Sequence, residues 1–380
     1  MELSKLFISS CSLILLYGSA LAKQNNTKLQ GQAPKLYKTA GLEKLNKQLK
    51  KVDKIELAEL PTPLIALTNL SRHLSGPMIY LKSDNLSGNG GGGNKLRKLS
   101  YVMAEALKQG ATDIITTGAT QSNHCRMTAS QCARLGLECH LILENRRANY
   151  EARHMQSGNI FLDKLFGAKI YHFKKGTDTK NEMSKLAKSL EKNGRKPYII
   201  SGGASNSLGA LGYVEAAAEL VVQLETKNIK ATHIVTATGS AGTQAGLAVG
   251  LQALGSPINL LGFSTRYPQV KQEEKVFKLT QEIGDRLNIP RSMLTREFIK
   301  VNANFVGKGY GEPGLDCIEA IKMVAQKEGV LLDPVYSGKA MAGLIAMIKN
   351  GTFRKDDTVV FIHTGGEDSL SAYEDSLLLN

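Results

Sequence analysis

The stretch from Asp113 to Leu143, DIITTGATQSNHCRMTASQCARLGLECHLIL, decides how this chain folds. Asp113–Thr117 is a short, largely β-branched run and reads as a strand. Thr117-Gly118-Ala119-Thr120-Gln121-Ser122 is a turn of small and polar residues. Ser122–Leu135 reads as a helix, and Glu138–Leu143 as a second strand. Strand, turn, helix and strand in this order make one parallel βαβ unit.

The same rhythm runs outward on both sides. Upstream, Met78–Leu81 is a short strand, Ser87–Gly93 a glycine-rich loop, and a helix follows with Leu96, Leu99, Val102, Met103 and Ala106 at helical spacing. Downstream, strands are expected at Ala168–His172, Pro197–Ile200, His233–Ala237, Ile258–Phe263 and Thr358–His363. Helices are expected at Gly158–Phe166, Lys180–Lys192, Gly209–Gln223, Thr243–Leu251, Gly314–Glu328 and Lys339–Asn350. So many alternating units exceed one comfortable sheet. The expectation is an α/β protein of two domains, each a twisted, mostly parallel sheet flanked by helices. Residues 93–208 form the smaller domain; 23–92 and 209–380 form the larger. In such folds ligands sit at the carboxyl ends of strands.

Composition agrees with a globular chain: 42% hydrophobic residues and 37 glycines leave no case for a disordered or fibrous protein. After the N-terminus no window approaches the ~18–20 apolar residues of a membrane span. Residues 1–22 differ. A lysine at position 5, a short apolar core around Leu13–Leu16 and Ala20-Leu21-Ala22 follow the order of a cleaved secretory signal. Much of the apolar core follows Cys11, which argues against a lipoprotein. An exported, periplasmic protein is the expectation.

The net charge is +14, and residues 1–22 hold one Lys and one Glu, so cleavage leaves it unchanged. The lysines are scattered, aromatics are 6% and Trp is absent, which is not the pattern of a nucleic-acid binder. Attraction of a small anion stays open. Cys125, Cys132, Cys139 and Cys317 remain after cleavage. Cys125 and Cys132 lie about 10 Å apart along a helix, too far for a disulfide. The cysteine spacings suit no zinc site and the seven His are scattered, so no metal is expected.

Five clusters carry chemistry. GNGGGGNKLRKL at 88–99 puts Lys95 at the mouth of a glycine loop and at a helix start. A Walker loop needs Gly before the lysine and Ser or Thr after it; here stand Asn94 and Leu96. A helix N-terminus disfavours an ammonium, and a lysine with a lowered pKa suits imine chemistry. Read alone, a solvated surface lysine is the more common explanation of such a position. The turn before Asn123 offers amides and hydroxyls to a carboxylate or phenolate, or simply caps its helix. Thr238-Gly239-Ser240-Ala241-Gly242-Thr243 opens a helix after a strand and suits a single phosphate. Leu332–Lys339 contains Tyr336, and Phe361–Gly366 contains Thr364.

Together and in this order, GGNKLRKL, QSNH, GSAGTQAGLAVG, LDPVYSGKAMAGLI and FIHTGG resemble the pyridoxal-phosphate (PLP) enzymes related to tryptophan synthase β. The nearer likeness is to the D-cysteine desulfhydrase and 1-aminocyclopropane-1-carboxylate (ACC) deaminase group, from about Leu57 onward. The resemblance implies that PLP lies in a cleft between the domains and that Lys95 is its Schiff-base lysine and the general base. Asn123 would bond the phenolic oxygen. Ser240, Ala241, Gly242 and Thr243 would cradle the phosphate with help from Lys98. Thr364 would face the pyridine nitrogen. Gln121, Ser122 and His124 would surround the substrate carboxylate, with Ser122, Tyr310 and Tyr336 near the chemistry. A homodimer is also implied.

ACC deaminases typically carry Glu after the tyrosine, Leu before the last Gly-Gly, and QSNQ. Here stand Ser337, Thr364 and His124. These departures favour α,β-elimination of D-cysteine to pyruvate, hydrogen sulfide and ammonia. Alternatives are elimination from cysteate, 3-chloroalanine or O-acetylserine, ACC deamination, or amino-acid binding without catalysis. Gly90 and Gly91 lengthen the loop before Lys95.

Overall fold

The computed structural model describes residues 36–147 and 152–378. The expected signal sequence lies outside the described residues.

The strands part into two sheets. Six belong to the first: β1 (Leu64–Ala66), β2 (Met78–Ser83), β7 (His233–Thr238), β8 (Asn259–Ser264), β9 (Lys300–Asn302) and β10 (Thr358–His363). Their spatial order is β1-β2-β10-β7-β8-β9. Only β1, at the edge, runs antiparallel. The second sheet holds β3 (Asp113–Ala119), β4 (Glu138–Glu144), β5 (Lys169–Phe173) and β6 (Pro197–Ile199), all parallel, in the order β5-β4-β3-β6. Every strand of this sheet falls within residues 93–208.

The burial pattern explains the layering. Successive side chains on a strand point to opposite faces. In β10, Val360 and Ile362 pack with the helices Leu211–Thr226 and Gly242–Leu254, while Val359 and Phe361 pack with Leu315–Glu328 and Ser337–Lys349. In the smaller sheet Ile114, Leu141 and Leu143 face one core, and Ile115 and Ile142 the other. Both faces of each sheet are therefore covered, as parallel sheets require.

A buried ion network fixes the helix Lys95–Lys108 that starts with the key lysine. Arg97, 1% exposed, gives two hydrogen bonds to Asp84, 2.9 and 3.0 Å, and two to Glu219, both 2.9 Å. Lys82 also bonds Glu219, and Tyr213 donates to Asp84. Removing one partner from such a cluster strands a buried charge.

Two differences from the sequence expectation have physical causes. The helix Gln269–Arg286 buries Gln272, Val276, Leu279, Thr280 and Ile283. Its apolar stripe is thinned by polar members and surrounded by charge. Strands β1 and β9 have three residues each, too few to show alternation. The four described cysteines are buried free thiols. Among the described residues no helix is long and apolar enough to cross a membrane, and no group of His, Cys, Asp and Glu could hold a metal ion.

Candidate active site

Loops at the carboxyl ends of β3, β4, β7, β8 and β10 converge on one cavity of about 210 Å³. That volume suits one small ligand better than a dinucleotide. Lys95, Ser122, Asn123, His124, Ser240, Ala241, Thr243, Tyr310, Tyr336 and Thr364 all line it. Positions far apart in sequence are thus brought together.

Lys95 opens its helix and is half-buried. Burial lowers its pKa to about 8, with a hydrogen-bonding contact to Lys98 working the other way. Lys98 lies one turn on, fully buried, and donates to Ser205 Oγ at 3.1 Å. Burial first, then the charge of Lys95, hold its pKa well below the ordinary lysine value. Among the described residues no carboxylate pairs with Lys98.

The opposite wall is the start of the helix Gly242–Leu254. Ala241 takes the left-handed region, φ 79°, to turn the chain into it. A Cβ on Gly242 would stand 2.6 Å from Ser205 Oγ and 2.9 Å from Lys98 Nζ. Only glycine leaves that space open. Ser205 and Ser240 hydroxyls are 2.8 Å apart. Asn94, the residue before Lys95, donates to Thr243 Oγ1 at 3.0 Å, which couples the two helix starts. An uncompensated cation, two hydroxyls and a helix N-terminus around one hollow are the donor set of a phosphate site.

The glycine loop wraps a buried arginine. Arg126 donates to the carbonyls of Gly90 and Gly92 and pairs with Asp368 at 3.0 Å. Gly91, φ 83°, packs so close that a Cβ would reach 2.4 Å from the guanidinium. Arg126 also donates to Asn159 Oδ1 at 2.9 Å, and Asn159 Nδ2 donates to Asn123 Oδ1 at 2.7 Å. Asn123 is thereby oriented with its own Nδ2 left as a donor.

Tyr310 and Tyr336 join hydroxyl to hydroxyl at 2.7 Å with edge-to-face rings. Asp333 sets the second tyrosine by accepting from the backbone of Val335, Tyr336 and Ser337 at 2.7–2.9 Å. Lys339 sets the first: its buried ammonium donates to the carbonyls of Val306 and Gly309 at 2.6 and 2.7 Å. Burial pushes both phenol pKa values up, Tyr336 the further, so the pair is neutral and able to give a proton. Thr364 accepts from the backbone of Asn94 at 3.0 Å through its own carbonyl. Its hydroxyl has no hydrogen-bond partner among the described residues.

The family model for pyridoxal-phosphate dependent enzymes matches residues 55–365. This chain belongs to the pyridoxal-phosphate dependent enzymes. It is 42% identical to a D-cysteine desulfhydrase of Serratia proteamaculans over 87% of this chain and 98% of that one. A D-cysteine desulfhydrase of Salmonella typhi is 43% identical over 86% and 97%. Among solved structures, an ACC deaminase homologue superposes with a TM-score of 0.78 at 34% identity, covering 88% of this chain and 98% of that one. The Escherichia coli diaminopropionate ammonia lyase superposes with 0.58 at 15% identity over 92% and 94%, a likeness of fold.

Pyridoxal phosphate is the cofactor of this family, and the cavity fits it. The hollow beside Lys98 takes a phosphate, Lys95 lies within contact of Lys98, and Asn123 and Thr364 supply polar groups for a ring.

Two placements correct the sequence reading. Gln121 is not in this cavity. Its amide donates to the carbonyls of His154 and Ser157 at 2.7 and 2.9 Å and accepts from Asn159 N at 2.8 Å, so the side chain is spent on holding the wall. His124 lines the cavity, but as an acceptor. Thr116 donates to the Ile200 carbonyl at 2.8 Å, so its oxygen accepts from His124 Nε2, also at 2.8 Å. Burial, then Lys95 and Lys98, hold the imidazole neutral, and Nδ1 is buried without a partner.

Sequence reading passed over Arg146, Arg266, Tyr267 and Lys275, which also line the cavity. The first three follow the ends of β4 and β8, so the strand-end rule pointed at them. Lys275 lies on the helix whose stripe was diluted, and no local signal marked it. Asn159 and Arg126 act from behind the wall, where only contacts reveal them.

Proposed function

We propose that this enzyme eliminates hydrosulfide from D-cysteine, yielding pyruvate and ammonia. The observation that carries the reading is a lysine of lowered pKa beside a phosphate hollow, faced by a neutral tyrosine pair. The relatives named D-cysteine desulfhydrase support the substrate.

When bound, pyridoxal phosphate supplies the electron sink that makes an amino acid's Cα–H acidic. Lys98, Ser240, Thr243 and the helix start at Gly242 would hold its phosphate, Asn123 and Thr364 would offer polar groups to its ring, and Lys95 would carry it. The Lys95 amine, with a pKa of about 8, suits a base that takes the Cα proton at neutral pH. The Cβ–S bond then breaks with its electron pair on sulfur. Loss of hydrosulfide from Cβ and uptake of one water leave pyruvate and ammonia. The turn at Gly118–Ser122 and the helix start at Asn123 meet the substrate carboxylate through backbone N–H groups. Tyr310 and Tyr336 stand by the reacting carbons.

Export rests on the order of residues 1–22, and cell fractionation tests it. A homodimer rests on the resemblance and on Phe161 and Leu165, 52% and 67% exposed one turn apart, an apolar patch that an interface would cover. Purified protein offered D-cysteine, L-cysteine, ACC, cysteate and 3-chloroalanine should release sulfide, ammonia and pyruvate fastest from D-cysteine. Faster 2-oxobutanoate production from ACC would overturn the assignment.

A further inference from the structure

Among the described residues four cations line the cavity, Lys95, Arg146, Arg266 and Lys275, and no carboxylate does. Lys95 belongs to the cofactor. The other three sit together at the mouth. Arg266 and Lys275 are exposed there and flank the ring of Tyr267, at 5.0 and 5.2 Å from its centroid. Arg146 reaches inward and lies 5.2 Å from the Tyr310 ring, so the cluster begins at the tyrosine pair.

One acid faces these three charges. Glu144 accepts from Arg146 Nε at 2.6 Å and also feels Arg266. Among the described residues neither Arg266 nor Lys275 forms an ion pair with a carboxylate. Lys275 donates to the Gly239 carbonyl at 3.2 Å. Three like charges with a single described counterion, Glu144, cost free energy unless an anion joins them. The phosphate hollow has its own donors in Lys98, Ser240 and the helix start. A substrate α-carboxylate meets the turn before Asn123. The mouth is left with positive charge that neither anion uses.

We infer that Arg146, Arg266 and Lys275 form a subsite for an anionic group carried on the substrate's Cβ. The inference rests on the reading of the cavity as an amino-acid site beside the cofactor. It narrows the substrate class to three-carbon amino acids bearing a thiolate, sulfonate or phosphate. Such a subsite draws anions in through a focused field and holds the leaving group as its charge grows.

The experiment compares the holoenzyme with R266Q, K275Q and R266K. Turnover is measured on the D-enantiomers of cysteine, cysteate and O-phosphoserine and on 3-chloro-D-alanine, whose side chain is neutral. The ratio of kcat/KM for the best anionic substrate to that for 3-chloro-D-alanine should fall at least tenfold in both Gln variants. R266K should restore most of it. Calorimetry of methanesulfonate binding to the holoenzyme should show the same loss. The anion with the largest fall identifies the source of the charge. An unchanged ratio, with 3-chloro-D-alanine still consumed, overturns the subsite alone. A tenfold loss of cofactor affinity in the Gln variants assigns the cations to the phosphate and also overturns it. No turnover of any substrate by a protein that binds the cofactor overturns the proposed function and this inference together.

Discussion

Arg126 donates its Nε–H to Asn159 Oδ1 at 2.9 Å, and this bond ties the glycine loop before Lys95 to the amide that orients Asn123. The two proposed cofactor contacts are thus set by one buried unit. Replacing Asn159 with Ala removes a buried partner of Asn123, Arg126 and the Gln121 carbonyl. Losing a buried hydrogen-bond partner costs about 1–3 kcal/mol. We expect the dissociation constant for pyridoxal phosphate to rise at least tenfold, read by absorbance titration. An unchanged constant would show that Asn123 needs no such support.

Gly242→Ala tests the phosphate hollow. Its methyl would meet Ser205 Oγ and Lys98 Nζ inside 3 Å. The variant should fold, bind cofactor at least tenfold more weakly, and respond little to added inorganic phosphate. Wild-type affinity in G242A would place the phosphate elsewhere.

The Arg97 network should dominate local stability. Arg97→Met leaves Asp84 and Glu219 buried beside fewer cations, at a cost of about 3–5 kcal/mol. Although burial alone would raise them, Arg97 and Lys82 bring both carboxyl pKa values below their ordinary range. Carboxylates lowered in the folded state stabilise above their unfolded pKa and lose that contribution as pH falls through the folded one. The gap between wild type and R97M in urea midpoint should therefore be widest near pH 7 and shrink below about pH 4. A gap that widens on acidification would contradict the network's sign.

Tyr336→Phe removes one half of the hydroxyl pair while Asp333 and Lys339 keep the backbone in place. If the pair gives a proton during turnover, kcat should fall by about 10²-fold or more with little change in KM. Loss confined to KM would assign Tyr336 to binding alone.

The alternation that set the fold was legible because each unit is local. Thr358–His363 carries its strand signal within six residues, and its two faces follow from period two. Residues next to strand ends and helix starts, as Thr364 and Asn123 are, could be read from sequence as cavity-lining candidates, and both line the cavity. Gln121 was misplaced, and the state of His124 was not legible, because neighbours decide both. Gln121 is consumed by carbonyls more than 30 residues away, and the His124 tautomer is fixed by Thr116 and Ile200. Arg126, Asn159 and Lys275 lay beyond local reading for the same reason: their partners are distant in sequence.

The central claim is that Lys95 carries the cofactor. Borohydride reduction of the holoenzyme, followed by peptide mass spectrometry, tests it most directly. We expect the reduced pyridoxyl adduct on Lys95 and none in K95A, which should also release no sulfide from D-cysteine. An adduct on Lys98 or any other lysine, or undiminished turnover by K95A, would contradict it.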